Sequence, residues 1–216
     1  MPSPTMRVAK PRVSGLYIIT QPDCASTATL LSQVKLALQG GARWVQYRDK
    51  TATFAHQLHT ACLLKQLCKT YQAWLIINDH LPLALQSQAD GLHLGQNDAQ
   101  LKQARQVLGQ HAIIGVSCYN DLPRAKQMQD QGADYVAFGR FFTSNTKPNA
   151  PQAELSTLQL AKQQLRIPVV AIGGVTANNT QQLIKHGADS VAVIHGVFAQ
   201  PDITAAAQSI QQQFLP

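Results

Sequence analysis

Short apolar runs alternate with longer segments of helical character along nearly the whole chain. Several of these runs, such as residues 75–77 and 169–172, contain no polar residue. Unbroken apolar runs of this length are typical of parallel strands that are covered on both faces. The pattern predicts strands at residues 15–20, 44–49, 74–79, 91–95, 113–118, 135–139, 168–173 and 190–195.

This alternation predicts an α/β fold, a single (β/α)8 TIM barrel with parallel strands, at residues 14–216. An open doubly wound sheet is the alternative, but it usually has fewer strands. Residues 1–13 contain three prolines and three basic residues but no acid. That composition predicts a loose N-terminal tail before the barrel domain.

The sequence Gly-Ala-Asp occurs at residues 132–134 and 187–189, each time just before a predicted strand. A glycine that ends a helix accounts for this placement. Because the aspartates precede strands, we expect Asp90, Asp134 and Asp189 at the amino-terminal face of the barrel. Residues at that face of a TIM barrel contribute to stability rather than to catalysis.

Composition narrows the class of protein. The 216 residues are 45% hydrophobic and 13% charged, which favours a globular chain with a full core. The net charge is +7, but the basic residues are scattered, so we expect no nucleic-acid partner. No apolar run is long enough to cross a membrane, and no secretory signal is recognisable, so we expect no membrane partner. The four cysteines have no metal-ligand spacing, which favours a cytoplasmic protein with reduced thiols.

The second predicted strand ends in polar residues of a kind that binds anions. Alternation places Gln46, Arg48 and Lys50 on one side, so that two cations lie beside one amide. Active sites of TIM barrels form at the carboxyl ends of the strands. The alternative is that these charges simply face water.

The third and fourth strands end in acids. Asp79 and Asp98 would meet at the barrel mouth, where two carboxylates can hold Mg²⁺ while a diphosphate supplies further oxygens. Asp98 could also cap the helix predicted at residues 99–108, and this role does not exclude metal binding.

The remaining strand ends predict a second anion site. Strand five ends near Ser117, and the loop at residues 143–147 carries hydroxyls and a lysine. Strands seven and eight end in Gly173-Gly174 and in residues 194–196, where barrels often hold phosphate. We therefore expect two phosphate-bearing groups to face each other across the mouth. His93, inside strand four, is interpreted as a histidine packed within the barrel.

These motifs, taken together and in order, resemble the thiamine phosphate synthase family nearly from end to end. The motifs that carry the resemblance are residues 15–20, Gln46-Tyr47-Arg48-Asp49-Lys50, Ile77-Asn78-Asp79, residues 93–98, residues 114–117, residues 143–147 and residues 171–176. The family joins an aminopyrimidine methyl diphosphate to a thiazole phosphate, with release of diphosphate. The resemblance implies a Mg²⁺-assisted, largely dissociative displacement in thiamine biosynthesis.

The resemblance also assigns roles to residues of this chain. The pyrimidine diphosphate set is Gln46, Tyr47, Arg48, Asp49, Lys50, Asn78, Ser117 and Lys147. The catalytic set is Ser117, Arg48, Lys50 and Lys147. The thiazole phosphate set is Ser144, Asn145, Thr146, Gly174, Ile194 and His195. The metal ligands are Asp79 and Asp98.

The chain departs from the commonest pattern of the family at Arg140, Thr143, Ser144 and His195. Two other readings stay open: the sister thiazole tautomerase, and a non-catalytic barrel that binds a phosphate ligand. Retention of Asp79, Asp98 and the Gln46, Arg48 and Lys50 set argues against the tautomerase. The sequence also leaves open a homo-oligomer and the carboxylation state of the thiazole.

Overall fold

A computed structural model describes residues 10–21, 24–95, 99–143 and 151–215. Within these residues, eight parallel strands pair in chain order, and β8 pairs with β1 to close the barrel. The strands are β1 (Gly15–Ile19), β2 (Trp44–Tyr47), β3 (Trp74–Asn78), β4 (Gly91–Leu94), β5 (Ile113–Tyr119), β6 (Tyr135–Phe138), β7 (Val169–Ile172) and β8 (Ser190–Val193). The predicted (β/α)8 barrel is confirmed.

Helices connect successive strands on the outside of the barrel. They are α1 (Thr27–Gln39), α2 (Phe54–Thr70), α3 (Leu81–Gln86), α4 (Ala99–Leu108), α5 (Leu122–Asp130), α6 (Leu155–Gln164), α7 (Ala177–Lys185), α8 (His195–Phe198) and α9 (Ile203–Gln211), followed by a 3-10 turn (Gln212–Phe214). Polar side chains cap the first turns of several helices. At the start of α5, for example, Asp121 accepts a hydrogen bond from the N–H of Arg124 at 2.9 Å.

The core has two layers because strand side chains alternate between the two faces of the sheet. Leu16, Ile18 and Val45 belong to the layer between strands and helices. Tyr17 and Tyr135 point into the barrel, where they pack with other apolar side chains. The barrel is therefore filled at its centre rather than hollow.

The amino-terminal face carries a repeated ion-pair arrangement. Asp90, Asp134 and Asp189 each accept a hydrogen bond from a backbone N–H at the start of the preceding strand. The donors are Leu75 in β3, Ile114 in β5 and Val169 in β7, at 2.8, 2.8 and 3.0 Å. Each aspartate also forms an ion pair with a basic residue of an even-numbered helix, namely Lys65, Arg105 and Lys162. The expectation that these aspartates lie at the amino-terminal face is confirmed.

Residues 10–13 pack against that same face. Val13 is 1% exposed, and Lys10 Nζ lies 2.7 Å from Asp134 Oδ1. Arg12 contributes a longer contact of 3.6 Å to Asp189. The part of the expected loose tail that the structure describes is therefore a segment anchored across the bottom of the barrel, while residues 1–9 lie outside the described residues.

Candidate active site

A cavity of about 350 Å³ opens at the carboxyl ends of the strands. Polar side chains line the half formed by β2 to β5, and mainly apolar side chains line the half formed by β6 to β8 and β1. The polar half includes Gln46, Arg48, Asn78, His93 and Ser117, and the apolar half includes Ile19, Ala137, Val170, Ile172, Ala192 and Ile194. Arg140, Thr143 and His195 line the rim of this second half, so the cavity suits ring systems that carry polar groups at two opposite ends.

The end of β2 divides the predicted anion-binding set. Gln46 and Arg48 line the mouth cavity, whereas Lys50 is exposed and does not line it. Tyr47 and Asp49 line a separate, smaller pocket beside α1 and α2, which Arg48 also reaches. The structure therefore brings the amide and one of the two cations together at the mouth.

Tyr47 and Asp49 contact each other in this smaller pocket. The Tyr47 hydroxyl donates to Asp49 Oδ2 at 3.3 Å. Burial, with the nearby Asp49 charge, raises the pKa of Tyr47 to about 12. Burial alone would raise the pKa of Asp49, but hydrogen bonds from the backbone N–H groups of Ala52 and Thr51 outweigh it and lower that pKa. Asp49 thus organises the turn that follows β2.

Asp79 lies at the end of β3, with its carboxylate turned toward the end of β4. Its φ is +57°, and its two oxygens accept hydrogen bonds from Asn78 Nδ2 at 2.8 Å and from the Gly95 N–H at 2.9 Å. The side chain is exposed, and it does not line the main cavity. Its predicted partner Asp98 lies outside the described residues, and among the described residues no three potential metal ligands form a cluster.

A chain of hydrogen bonds crosses the interior of the barrel beneath the cavity. Gln46 Nε2 donates to the Tyr17 hydroxyl, which is bonded to the Tyr135 hydroxyl, each at 2.9 Å. The Tyr135 hydroxyl lies 2.9 Å from His93 Nδ1, and His93 Nε2 lies 2.9 Å from Ser117 Oγ. His93 is thus packed inside the barrel as expected, but its ring also lines the cavity.

Tyr17 and Tyr135, the two tyrosines of this hydrogen-bonded series, remain neutral hydroxyl groups at physiological pH. Burial raises the pKa of Tyr17 well above its usual value, and its hydrogen bonds with Tyr135 and Gln46 offset only part of this effect. Burial also raises the pKa of Tyr135 strongly, and proximity to Tyr17 adds to the effect. The tyrosines therefore act as hydrogen-bond donors and acceptors and not as anions.

Glycine-rich strand ends form the opposite rim. Gly173 and Gly174 have φ values of +102° and +66°, and a Cβ on Gly174 would lie 2.3 Å from the carbonyl oxygen of Thr143. Within the described residues, the N–H groups of Gly174 and Gly196 have no backbone acceptor. Together with the exposed side chain of His195, they give this rim hydrogen-bond donors suited to a phosphate.

Several predicted residues fall outside the described part of the chain. They are the metal candidate Asp98 and the loop residues Ser144, Asn145, Thr146 and Lys147. The loop that carries the last four leaves β6 at Gly139, Arg140 and Thr143, all of which line the cavity. It returns at Gln152, which donates to the carbonyl oxygen of Phe141 at 3.3 Å. The described residues before the loop therefore lie at the cavity, and those after it are bonded to them.

The sequence interpretation missed Tyr17, Tyr119 and Tyr135 as residues of the mouth cavity. A signal for Tyr135 exists at Gly115, because a Cβ there would lie 1.9 Å from the Tyr135 ring. A glycine in the middle of a buried strand often marks such a close approach. The register pairs the two residues directly, since Gly115 lies opposite Tyr135 between β5 and β6.

Fold and site together define a TIM-barrel protein of the enzyme type, with convergent polar groups and backbone donors at the carboxyl ends of its strands. A family model described as thiamine monophosphate synthase matches residues 16–197. The chain belongs to this family, whose members are transferases of thiamine biosynthesis.

Individual relatives agree with the family match. The chain is 50% identical to a thiamine-phosphate synthase of Alcanivorax borkumensis, over 94% of this chain and 95% of that protein. It is 48% identical to a thiamine-phosphate synthase of Nitrosococcus oceani, over 94% and 93% respectively. A solved thiamine phosphate pyrophosphorylase from Pyrococcus furiosus superposes with a TM-score of 0.84 at 32% identity, over 93% of this chain and 95% of that chain.

A search of the described helices for membrane-spanning segments finds none of sufficient length and apolar character.

Proposed function

We propose that the mouth cavity joins an aminopyrimidine methyl diphosphate to a thiazole phosphate, giving thiamine phosphate and diphosphate. The observation that carries the proposal is the divided lining of the cavity. An amide and a guanidinium, from Gln46 and Arg48, lie on one rim, and the Gly174 and His195 donors lie on the other. Two phosphate-bearing substrates can therefore be held with their rings toward each other.

On the first rim, Gln46 would bind the pyrimidine. Its side chain is buried, and its Nε2 is fixed by the Tyr17 hydroxyl, so its amide is held in one orientation. Arg48 and Asn78 lie beside it and would contact the diphosphate. A fixed amide selects a heterocycle by its donor and acceptor pattern, and a guanidinium stabilises negative charge on the leaving group.

The chemistry would be a dissociative displacement. The bond between the pyrimidine methylene and the diphosphate oxygen breaks first, and the thiazole nitrogen then supplies the electron pair for the new bond. Ser117 would donate a hydrogen bond to the departing diphosphate. Because the electron-rich pyrimidine stabilises the cation, the protein needs no nucleophile and contributes alignment, charge and exclusion of water.

On the second rim, the phosphate of the thiazole would lie against Gly174, Ile194 and His195. Ile172, Ala192 and the other apolar side chains between the rims would contact the thiazole ring. Lys147, Ser144, Asn145 and Thr146 are proposed to contact both phosphate groups, because the residues just before them in the chain, Gly139, Arg140 and Thr143, line the cavity. Lys50 would approach the diphosphate from the rim.

Mg²⁺ is proposed as the metal, with Asp79 and Asp98 as its protein ligands. The Asp79 carboxylate fits this role because each oxygen accepts one hydrogen bond in the described structure and keeps a further lone pair. Hard oxygen ligands are what Mg²⁺ prefers. When bound, the ion would neutralise charge that develops on the diphosphate.

The cellular setting is proposed to be the cytoplasm, with small molecules as the only required partners. The described structure contains no disulfide bond between Cys24, Cys62, Cys68 and Cys118, in keeping with a reducing compartment. Burial raises the pKa of Cys68 to about 12, so this thiol is an inert packing group.

The test is direct detection of thiamine phosphate and diphosphate with both substrates and Mg²⁺, and with each omitted in turn. We expect product only in the complete mixture. Product-free binding would support a phosphate-ligand sensor instead, and thiazole rearrangement without the pyrimidine would support the tautomerase.

Arg48 and Arg43 offer a matched pair of variants at the two ends of β2. Arg48→Gln should lower kcat/KM for the pyrimidine diphosphate by about 100-fold, since a charge on the leaving group loses its partner. Arg43→Gln should leave kcat/KM unchanged, because Arg43 contacts only backbone oxygens near α1 among the described residues. Equal effects of the two changes would remove Arg48 from the site.

A further inference from the structure

The hydrogen-bond chain from Gln46 to Ser117 links the two ends of the polar half of the cavity. Four hydrogen bonds of 2.9 Å connect five side chains from five different strands. The middle members, Tyr17, Tyr135 and His93, are 1%, 0% and 8% exposed. A buried chain of this kind has few alternative arrangements, because each hydroxyl has one hydrogen and must place it on an acceptor.

The direction of the chain follows from its first member. With the Gln46 amide oriented as it is here, Nε2 faces the Tyr17 hydroxyl, so the Tyr17 oxygen accepts from it. The Tyr17 hydrogen then has the Tyr135 oxygen as its acceptor, the other group within hydrogen-bond distance of Tyr17 among the described residues. Tyr135 in turn donates to His93 Nδ1. Reversal would leave the buried Tyr17 hydrogen without an acceptor among the described residues, which is unfavourable for a buried hydroxyl.

The orientation of the histidine follows from the same argument. With Nδ1 acting as an acceptor, a neutral His93 carries its hydrogen on Nε2 and donates it to Ser117 Oγ, 2.9 Å away. Since Ser117 Oγ accepts this bond, its own hydrogen is directed to another acceptor. Ser117 lines the mouth cavity, where a ligand oxygen can take that hydrogen.

We propose that Tyr17, Tyr135 and His93 are positioning residues that hold Ser117 as a hydrogen-bond donor toward the leaving diphosphate. This inference rests on the proposed function only for the identity of the acceptor. The donor state of Ser117 rests on the Gln46 amide orientation and on the His93 tautomer that this orientation implies. The series of hydrogen bonds also connects the Gln46 amide, which would bind the pyrimidine, to the Ser117 hydroxyl, which would contact the leaving diphosphate.

Packing around Tyr135 and His93 supports the same side-chain orientation. Gly115 leaves the space that the Tyr135 ring occupies, since a Cβ there would lie 1.9 Å from Tyr135 Cζ. The His93 and Tyr135 rings stack with centroids 5.6 Å apart, which fixes the plane of the imidazole. Packing and hydrogen bonding thus define the same side-chain orientation.

The direct test is the tautomer of His93 in the wild-type chain, read from imidazole ¹⁵N chemical shifts at a pH where the ring is neutral. The His93 signals are assigned by their loss in His93→Gln and by their shift in Ser117→Ala. We expect the Nε2–H tautomer. The Nδ1–H tautomer would overturn the proposal, whether or not the chain makes thiamine phosphate.

A kinetic test separates positioning from stability. Tyr135→Phe keeps the ring but removes the hydroxyl, so His93 loses its donor, and we expect kcat to fall about tenfold, the effect of losing roughly one hydrogen bond in the transition state. KM for the thiazole phosphate should stay within about twofold, since that substrate binds on the other rim. Unchanged kcat would overturn the proposal.

Ser190→Ala is the matched control, because it also removes a buried hydroxyl inside the barrel. Its Oγ donates to the Gly15 carbonyl oxygen at 2.7 Å, at the amino-terminal end of the strands. We expect it to lower stability without lowering kcat. If it lowers kcat as much as Tyr135→Phe does, a general loss of stability explains both results and the positioning role is wrong.

Discussion

Aspartates at the two ends of the barrel have different surroundings. At the amino-terminal face, Asp134 is bonded to Lys10, to Arg105 and to the N–H of Ile114. At the carboxyl end, Asp79 is exposed and is bonded only to neutral groups among the described residues. Stability requires the first arrangement, because a carboxylate shared by two cations and an amide is fully compensated. The proposed function requires the second, because a carboxylate without a counter-ion can bind a metal ion.

The largest expected effect is the loss of turnover when the charge of Asp79, at the carboxyl end of β3, is removed. Asp79→Asn keeps a side chain that tolerates φ of +57° and can still accept from Gly95, but it removes the charge. Mg²⁺-dependent kcat should fall by about 100-fold or more, a loss of electrostatic stabilisation of the leaving group. The measurement is turnover against Mg²⁺ concentration, with thermal unfolding as the control. Unchanged turnover would remove Asp79 from the metal site.

Alkaline pH should lower the stability of the folded chain, because two tyrosines are buried in the barrel interior between its two ends. In the unfolded chain Tyr17 and Tyr135 lose their protons near pH 10, whereas burial raises their pKa in the folded chain. Above about pH 9 the folded state then binds more protons than the unfolded state, so the contribution of these two tyrosines to stability is constant below that pH and falls as pH rises above about 10. Denaturant midpoints across this range measure the slope. Tyr135→Phe should make the slope shallower, and an equal slope would contradict the assigned burial.

Asp134→Asn makes the same chemical change as Asp79→Asn at the opposite face. It weakens two ion pairs on a partly buried carboxylate, so the free energy of unfolding should fall by about 1–3 kcal/mol. We expect kcat to be unchanged at a temperature where the variant is folded. A stable variant with a selective loss of turnover would show that the two faces have been assigned the wrong way round.

The smallest expected effect is at Arg12. Its contact to Asp189 is 3.6 Å long, and its side chain is 60% exposed, while Lys162 already lies 2.7 Å from the same oxygen. Arg12→Ala should change the free energy of unfolding by less than about 0.5 kcal/mol. Chemical denaturation measures this, and a loss as large as that of Asp134→Asn would mean that residues 10–13 stabilise the face more than these contacts indicate.

The strands could be predicted well because parallel strands buried on both faces are apolar throughout. The predicted run at 113–118 falls one residue short of β5, and the others extend one or two residues beyond the strands. These extra residues matter at the site. Strand β2 ends at Tyr47, so the alternation predicted beyond it agrees with the position of Arg48, which lines the cavity, but not with that of Lys50, which does not.

The tyrosines of the cavity were harder to predict, and the reason is physical. Tyr17 and Tyr135 lie within apolar strands, where a tyrosine is indistinguishable from a core residue until the barrel places the two hydroxyls 2.9 Å apart. That contact joins residues 118 positions apart in the chain. The anchoring of residues 10–13 depends on distant partners in the same way, because Lys10 meets Asp134 only after the barrel closes.

The central claim is that two phosphate-bearing substrates meet in the mouth cavity. A crystal structure with the pyrimidine diphosphate and a non-reacting thiazole phosphate analogue tests it most directly. We expect the pyrimidine beside Gln46, its diphosphate near Arg48 and Ser117, and the second phosphate against Gly174 and His195. Either ligand in the smaller pocket beside Tyr47 and Asp49, or at the amino-terminal face, would contradict the account.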